Sequence, residues 1–323
     1  MIAGLRKKLF FSIGLMGVVY LVFTLYADYE LVMKSFSSFP IYLVPVLLIL
    51  TFTNYLSRFL KWDYYINLLG VRIKKIDSFS IFMSGLIMSV TPGKMGELLK
   101  AYLVKKISGE PVSKTAPVIL IERVTDFVSL ILIALAGAYF FDYGRVITIV
   151  IGIFFIGIIA VISKRNLSMK IIELLTKISF LHKYRDAAMS AYESSYLMLK
   201  AKPLILMTLL SLVSWSFECF GYYLILTNFG IDTSMFWASF TYAFSTIIGA
   251  VSMLPGGLGI TDGSLTFLLT AKGISLDTAV ASTFVIRVVT LWFAVLVGII
   301  SVWLYQKRFG QISNDFLTKI NEA

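Results

Sequence analysis

The residues best suited to chemistry in this sequence are charged side chains that stand inside apolar segments. Glu122, Arg123 and Asp126 lie near the start of one such segment. Glu122 and Asp126 share a helical face at a spacing of four residues, and Arg123 reaches Asp126 at a spacing of three. Arg287 lies deep in another apolar segment with no acidic residue nearby in the sequence. We expect Arg123 to pair with Asp126, and the partner of Arg287 to come from another segment.

Two acidic residues that follow Pro-Gly sequences are the candidate partners of Arg287. Glu97 follows the first Pro-Gly sequence, with Lys94 beside it, and Asp262 follows the second. Charges inside a membrane are costly and functional by default, although buried structural ion pairs are an alternative. We predict that Lys94, Glu97, Asp262 and Arg287 line a polar groove. Lys94 could equally be a snorkelling interfacial lysine, and Glu218 has the weakest claim to a role.

The composition places these charges in a polytopic membrane protein. Of the 323 residues, 58% are apolar and 15% are charged, against about 25% charged in an ordinary soluble domain. The mean hydropathy is +0.86. The net charge of +11 indicates basic cytoplasmic loops and contact with anionic headgroups, not nucleic-acid binding. A single cysteine, Cys219, and a single histidine, His182, leave no disulfide framework and no Cys/His metal site.

Apolar segments of about 20 residues, the length that crosses a bilayer, indicate an all-α protein with about six transmembrane helices. The first segment is expected to be a retained signal anchor, because it is too long for a signal-peptide core and lacks a convincing cleavage site. The predicted spans are 9–27, 39–60, 116–141, 145–163, 203–228 and 277–305.

Two further apolar regions, 76–104 and 234–271, are broken by proline and glycine. Proline removes a backbone donor and glycine frees the backbone, so each region is predicted to form a re-entrant hairpin of two half-helices. The Pro-Gly pair and a following glycine recur 163 residues apart, which predicts an inverted repeat, the pattern of a midplane transport site. Structural packing of two similar hairpins is the alternative. The break residues are Pro92, Gly93, Gly96, Pro255, Gly256, Gly257 and Gly259.

Lysine and arginine residues are concentrated on one side of this topology, which predicts both termini in the cytoplasm. Arg58, at the end of the second predicted span, and Lys61, just after it, are counted with the basic residues of the following loop. The polar segment 164–202 is predicted to form an amphipathic helix, either lying on anionic lipid or capping the bundle. The chain is treated as one membrane domain, 1–323, comprising two spans (1–75), the first repeat (76–142), two spans around the polar segment (143–233), the second repeat (234–308) and a cytoplasmic tail (309–323).

Three segments carry a resemblance to a known family. They are SVTPGKMGELLKAYLVKK, ERVTDF and LPGGLGITDGSLTFLL, the last followed by the span with Arg287. They resemble the lysylphosphatidylglycerol synthase transmembrane region, a flippase-like family, over essentially the whole chain. In bifunctional members a domain like this one looks to carry aminoacylated phosphatidylglycerol across the membrane, and a soluble C-terminal domain transfers the amino acid. Only a short tail follows Arg308 here, so the resemblance implies no aminoacyl transfer. It places the acid of the second motif on Asp262.

We therefore expect a lipid flippase in the cytoplasmic membrane of a prokaryote, moving a phospholipid, an aminoacylated phospholipid or a polyprenyl-linked lipid. Lys94 and Arg287 are expected to hold phosphate, and Glu97 and Asp262 to balance charge or contact a cationic headgroup. The expected transport-site residues are Lys94, Glu97, Glu122, Arg123, Asp126, Asp262 and Arg287.

The expected partners are membrane lipids with anionic headgroups. A separate lipid-modifying enzyme and a homo-oligomer stay open, and nucleic acid is not expected. We expect no enzyme activity, cofactor or metal, because the sequence contains no catalytic motif. Two alternatives remain at this point: a membrane scaffold for a lipid-modifying enzyme, and an ion-coupled carrier of small solutes.

Overall fold

A computed structural model describes residues 30, 34, 35 and 37 and the ranges 39–91, 97–138, 145–176 and 182–310. These ranges are helical apart from their connecting turns and loops, and no strand occurs in them. The predicted span 9–27 and residues 92–96 of the first hairpin, which include Pro92, Gly93, Lys94 and Gly96, lie outside the described residues.

The helices are labelled in chain order from the first one with described bounds. They are α1 (Leu43–Leu68), α2 (Lys75–Gly85), α3 (Leu98–Ser108), α4 (Val112–Ala138), α5 (Arg145–Ser163), α6 (Arg165–Thr176), α7 (Arg185–Met198), α8 (Ala201–Asn228), α9 (Met235–Val251), α10 (Ile260–Ala271) and α11 (Leu276–Phe309). Short 3-10 turns form at Leu86–Val90 and Pro255–Gly257, and α11 contains a π-helical turn at Val288–Trp292.

Three helices of the described chain, α1, α8 and α11, are long and apolar enough to cross a membrane. They coincide with three of the predicted spans. The pair α5 and α6 would provide a fourth, although the two helices meet at 86°. Helix α4 has 27 residues and is therefore about 40 Å long, enough to cross a bilayer. It also contains the charged residues Glu122, Arg123 and Asp126. The chain is thus an all-helical integral membrane protein.

Helix α1 is longer than the sequence indicated. It continues to Leu68, so Arg58 and Lys61 lie inside the helix. Their expected place in a cytoplasmic loop is wrong. The two side chains are only 14% and 1% exposed. Such burial is tolerable because acidic groups of a neighbouring helix neutralise them, as shown below.

The described part of the polar segment 164–202 contains two separate helices, α6 and α7, so the prediction of a single amphipathic helix is wrong. Helix α6 leaves α5 at 86° and exposes Leu167 and Leu174, as a helix at a membrane interface does. Helix α7 packs against α4 and buries Tyr192 and Met198. Packing on the bundle, one of the two alternatives for this segment, is thus present at α7, and the prediction that part of the segment lies on anionic lipid stays a prediction.

Each proline-glycine break lies between two short helices that pack against each other. Helices α2 and α3 flank the first break, and α9 and α10 flank the second. The turn Leu86–Val90, which precedes the first break in the sequence, contacts the turn Pro255–Gly257 of the second break. Helix α11 follows α10, and its second half packs against α2 and against Leu86–Val90. One long helix therefore contacts the elements around both breaks.

Helix α11 approaches the first break closely because residue 298 is glycine. A Cβ atom at Gly298 would overlap the backbone nitrogen of Ile87, which precedes the break. Protein interiors have no free space to absorb such an overlap. Any side chain at this position would force α11 away from the 3-10 turn.

We expect Gly298→Ala to lower the free energy of unfolding by about 1–3 kcal/mol, the usual penalty of overpacking. Gly157→Ala is the matched control, since Gly157 is also helical and a Cβ atom added there would meet no neighbouring atom within 4 Å. Gly157→Ala should leave the free energy of unfolding unchanged or raise it slightly. Thermal unfolding of the purified variants in detergent measures both effects, and equal midpoints would contradict the close approach of α11 to the first break.

Candidate functional site

The carboxylate of Asp126 on α4 lies at the centre of a buried charge cluster. It is 2.5 Å from the Lys61 ammonium and 3.4 Å from the Arg58 guanidinium. Arg123, the partner expected from the sequence, is within reach at 3.9 Å but is the most distant of the three cations. The two nearer cations both come from α1, so the charge of Asp126 binds α1 to α4.

Lys61 extends this cluster to a third helix. Its ammonium group donates to Asp126 and, at 2.8 Å, to the hydroxyl of Ser211 on α8. Longer contacts of 3.3 Å join it to the Glu122 carbonyl and the Thr125 hydroxyl. A lysine ammonium has three donors, so these acceptors satisfy it fully. Lys61 therefore holds α1, α4 and α8 together without contact to water.

A second set of ion pairs fixes α3, the helix that follows the first break. The Arg123 guanidinium donates to the carboxylate of Glu97. The Lys100 ammonium lies 2.7 Å from Glu122 and 3.7 Å from Glu97, and 4.6 Å from the centre of the Trp62 ring. These contacts join α3 to α4 and α1, and they leave every one of the four charged groups close to an opposite charge.

Arg287 organises the second break. Its guanidinium lies 3.1 Å from a carboxylate oxygen of Asp262 and donates to the carbonyl of Gly256 at 2.5 Å. Gly256 has a φ of +60°, a conformation that glycine adopts without strain. The other oxygen of Asp262 accepts from the Gly259 amide at 2.8 Å and caps the start of α10. The expected pairing of Arg287 with Asp262 is present.

A cavity of about 300 Å³ lies where these clusters meet. Its wall is formed by α1, α4, α8, α9, α11 and the two 3-10 turns, with Thr261 of α10. The charged residues of the wall are Arg58, Arg123, Asp126, Glu218 and Arg287. Tyr242 also belongs to the wall. We call this space the arginine cavity.

The arginines of the cavity wall are more exposed than the acidic residues that they pair with, and of these acidic partners Asp126 lines the cavity whereas Asp262 lies outside its wall. The side chains of Arg58, Arg123 and Arg287 are 14%, 19% and 10% exposed, whereas those of Asp126 and Asp262 are 4% and 0% exposed. Guanidinium groups present several fixed donors that match the oxygens of carboxylates and phosphates. The arginine cavity is therefore suited to an anionic group with several oxygen acceptors.

Comparison with known proteins agrees with a membrane domain of this kind. The family described as "Lysylphosphatidylglycerol synthase TM region" matches residues 9–298. The chain belongs to this family. A UPF0104 membrane protein of Methanocaldococcus jannaschii is 25% identical in an alignment 233 residues long that covers 68% of this chain and 94% of the relative. A UPF0104 membrane protein of Methanothermobacter thermautotrophicus is 24% identical in an alignment 290 residues long that covers 81% of this chain and 85% of the relative.

A third relative covers nearly the full length. It is a UPF0104 membrane protein of Pyrococcus horikoshii, 22% identical in an alignment 322 residues long that covers 91% of this chain and 96% of the relative. The resemblance to the lysylphosphatidylglycerol synthase transmembrane family, inferred from three segments, is thus confirmed over most of the chain.

In the structure, some of the predicted site residues line the arginine cavity and the others lie outside its wall. Arg123, Asp126 and Arg287, with Gly256 and Gly257, line the arginine cavity. The remaining described residues of the prediction do not belong to its wall, and they support the cations that do or shape the second break. These supporting residues are Glu97, Glu122, Asp262, Pro255 and Gly259.

Two residues of the cavity were missed or undervalued by the sequence analysis. Arg58 was assigned to a loop because it lies at the end of an apolar run. Its spacing of three residues from both Tyr55 and Lys61 is the helical signal that could have placed it on the buried face of α1. Glu218 is the charged residue with the weakest claim to a role from the sequence. It nevertheless lines the cavity and accepts a hydrogen bond from the Tyr242 hydroxyl at 2.6 Å.

Charge recognition is the chemistry that the described part of this site supports. Within the described ranges, no three histidine, cysteine or acidic side chains are grouped so that they could hold a metal ion. Cys219 is buried. The guanidinium groups of the wall, in contrast, offer donors to an anionic ligand.

The contrast between Lys61 and Arg58 gives a test of these assignments. We expect Lys61→Met to lower the free energy of unfolding by about 3 kcal/mol or more, because it removes the nearest cation of a buried carboxylate. Arg58→Gln should cost about 1 kcal/mol, since Asp126 keeps Lys61 and the lost contact is longer. Chemical denaturation in detergent measures both. A larger loss for Arg58→Gln would show that Arg58 is a structural residue.

Proposed function

We propose that this protein moves a lipid with an anionic, phosphate-bearing headgroup between the two leaflets of a prokaryotic membrane. The observation that carries the proposal is the arginine cavity. Three guanidinium groups from three different helices line one space inside a membrane domain, and the carboxylate groups that they pair with are more deeply buried than they are. A buried phosphate needs several hydrogen-bond donors and cations close to it, and the three guanidinium groups provide donors and local positive charge.

The charge balance around the cavity suits a carrier rather than a permanent binding site. Five cationic and five acidic side chains of the described chain belong to the wall or to its supporting pairs. They are Arg58, Lys61, Lys100, Arg123 and Arg287, and Glu97, Glu122, Asp126, Glu218 and Asp262. This set of side chains is therefore formally neutral. A transported group must bind strongly enough to enter and weakly enough to leave, and the acidic groups paired with the arginines limit the strength of binding.

The proposed architecture has six spans, two re-entrant hairpins related as an inverted repeat, and both termini in the cytoplasm. Its support is the equal pattern of the two broken regions: a helix, a break, a short helix packed against the first, and a long helix with an arginine that reaches an acidic residue just after the break. The turn before the first break, Leu86–Val90, also contacts the second break at Pro255–Gly257. Inverted repeats that meet at interrupted helices are typical of alternating access around a central site.

The test is the movement of fluorescent or spin-labelled lipids in liposomes that contain the purified protein. We expect anionic phospholipids to move between leaflets faster than phosphatidylcholine. Arg58→Gln should reduce this movement about tenfold, equivalent to about 1.4 kcal/mol of headgroup binding.

Arg165→Gln provides the matched control. Arg165 lies on α6, is 57% exposed and pairs with Glu193 outside the cavity, so its replacement removes the same charge without touching the site. The Arg165→Gln variant should move lipids at the same rate as the unmodified protein. If no lipid moves faster than in empty liposomes, with or without an imposed ion gradient, the flippase proposal is wrong and a scaffold for a lipid-modifying enzyme becomes the better explanation.

A further inference from the structure

Two residues of the cavity wall also belong to the outer surface of the bundle. Met253 and Leu254 lie between α9 and the second break, and both line the arginine cavity. They are 60% and 41% exposed, respectively. The cavity-lining arginines, by contrast, are at most 19% exposed. The cavity therefore reaches the surface of the bundle at Met253 and Leu254.

The surface around this opening is apolar. Val251 and Ile260, on either side of the second break in the sequence, are 53% and 40% exposed, and Val288, next to Arg287, is 38% exposed. In a membrane-spanning bundle, exposed aliphatic side chains of this kind face lipid chains and not water. The opening of the arginine cavity thus faces the hydrocarbon of the bilayer.

The backbone at Met253 supports a role for its side chain. Met253 has a φ of +57°, and within the described chain it is the one residue other than glycine with a positive φ. This conformation costs an ordinary residue about 1–2 kcal/mol, and glycine is the usual residue there at the end of a helix. Strain of this kind is concentrated at functional sites. Methionine is also the most adaptable apolar side chain, able to follow a chain of variable shape.

We propose that Met253 and Leu254 form a lateral portal, through which a phospholipid headgroup reaches the arginine cavity while its acyl chains stay in the bilayer. This inference rests on the proposed function and names its substrate as a membrane-resident lipid, not a soluble anion. The cavity volume of about 300 Å³ lies at the lower end of ligand pockets, roughly 300–1,000 Å³. It accommodates a headgroup, and the two acyl chains must lie elsewhere. The apolar opening is the place for them.

Site-specific photocrosslinking tests the portal. The photoreactive residue benzoylphenylalanine is placed at position 253 in the full-length protein, reconstituted in phosphatidylcholine vesicles that contain phosphatidylglycerol and phosphatidic acid. Position 267 is the matched control, because Phe267 is 63% exposed, is not part of the cavity wall and lies on α10. Adducts are identified by mass spectrometry.

We expect anionic lipid to be enriched among the adducts at position 253, relative to its share of the vesicle, and to match that share at position 267. Arg58→Gln should abolish the enrichment, since the headgroup is then held less tightly. Equal adduct composition at both positions would overturn the portal, as would an enrichment that Arg58→Gln leaves unchanged.

Substitution by tryptophan gives an independent measurement that needs no photoreactive residue. Met253→Trp should obstruct the portal and slow lipid movement about tenfold, whereas Phe267→Trp should leave the rate unchanged. The thermal midpoint of each variant shows whether it is folded. If anionic lipids move at equal rates in folded Met253→Trp and Phe267→Trp, the portal is wrong and the flippase proposal stands. If crosslinking shows the enrichment but no lipid moves, the flippase proposal is wrong and a lipid-binding portal stands.

Discussion

A carboxylate buried in a membrane bundle requires cations beside it, and the arrangement of this protein depends on that requirement at Asp126. An unpaired charge there would cost several kcal/mol. The compensating groups come from α1, and Lys61 also contacts α8. One acidic side chain thus fixes the relative position of three long helices. It also explains why α1 continues beyond its apolar stretch, since Arg58 and Lys61 are stable inside the bundle only as partners of acidic groups.

Lysine and arginine have different tasks in this network. Lys61 and Lys100 are almost fully buried, and each is surrounded by acceptors or aromatic rings. A compact ammonium group can be enclosed in this way. A guanidinium group carries more donors than one carboxylate uses, so an arginine can bind its acidic partner and still offer donors to a ligand. Arg123 and Arg287 do both at once, because each pairs with an acidic residue near a break and faces the cavity.

The two breaks connect this network of charges to the proposed path of a headgroup. Broken helices place bare backbone inside the membrane, which is tolerated where protein or a polar cavity covers it. Here the turn Pro255–Gly257 contacts Leu86–Val90, and the carbonyl of Gly256 is covered by Arg287. The same region opens to the bundle surface at Met253 and Leu254. The arginine cavity and the proposed lateral portal therefore meet at the second break, where the proposed transport would take place.

The sequence by itself determined the membrane class, three helices that can span a bilayer, the family, the second break and the need of Arg287 for an acidic partner from another segment. These features depend on apolar length, on proline and glycine, and on the rarity of intramembrane charge, all of which are local. Only the tertiary structure decided that Arg58 and Lys61 belong to the site, that Glu97 is the closer partner of Arg123, and that Glu218 and Met253 line the cavity. Those facts depend on which helices are neighbours, because a buried charge is stabilised by whichever opposite charge packing brings within about 4 Å.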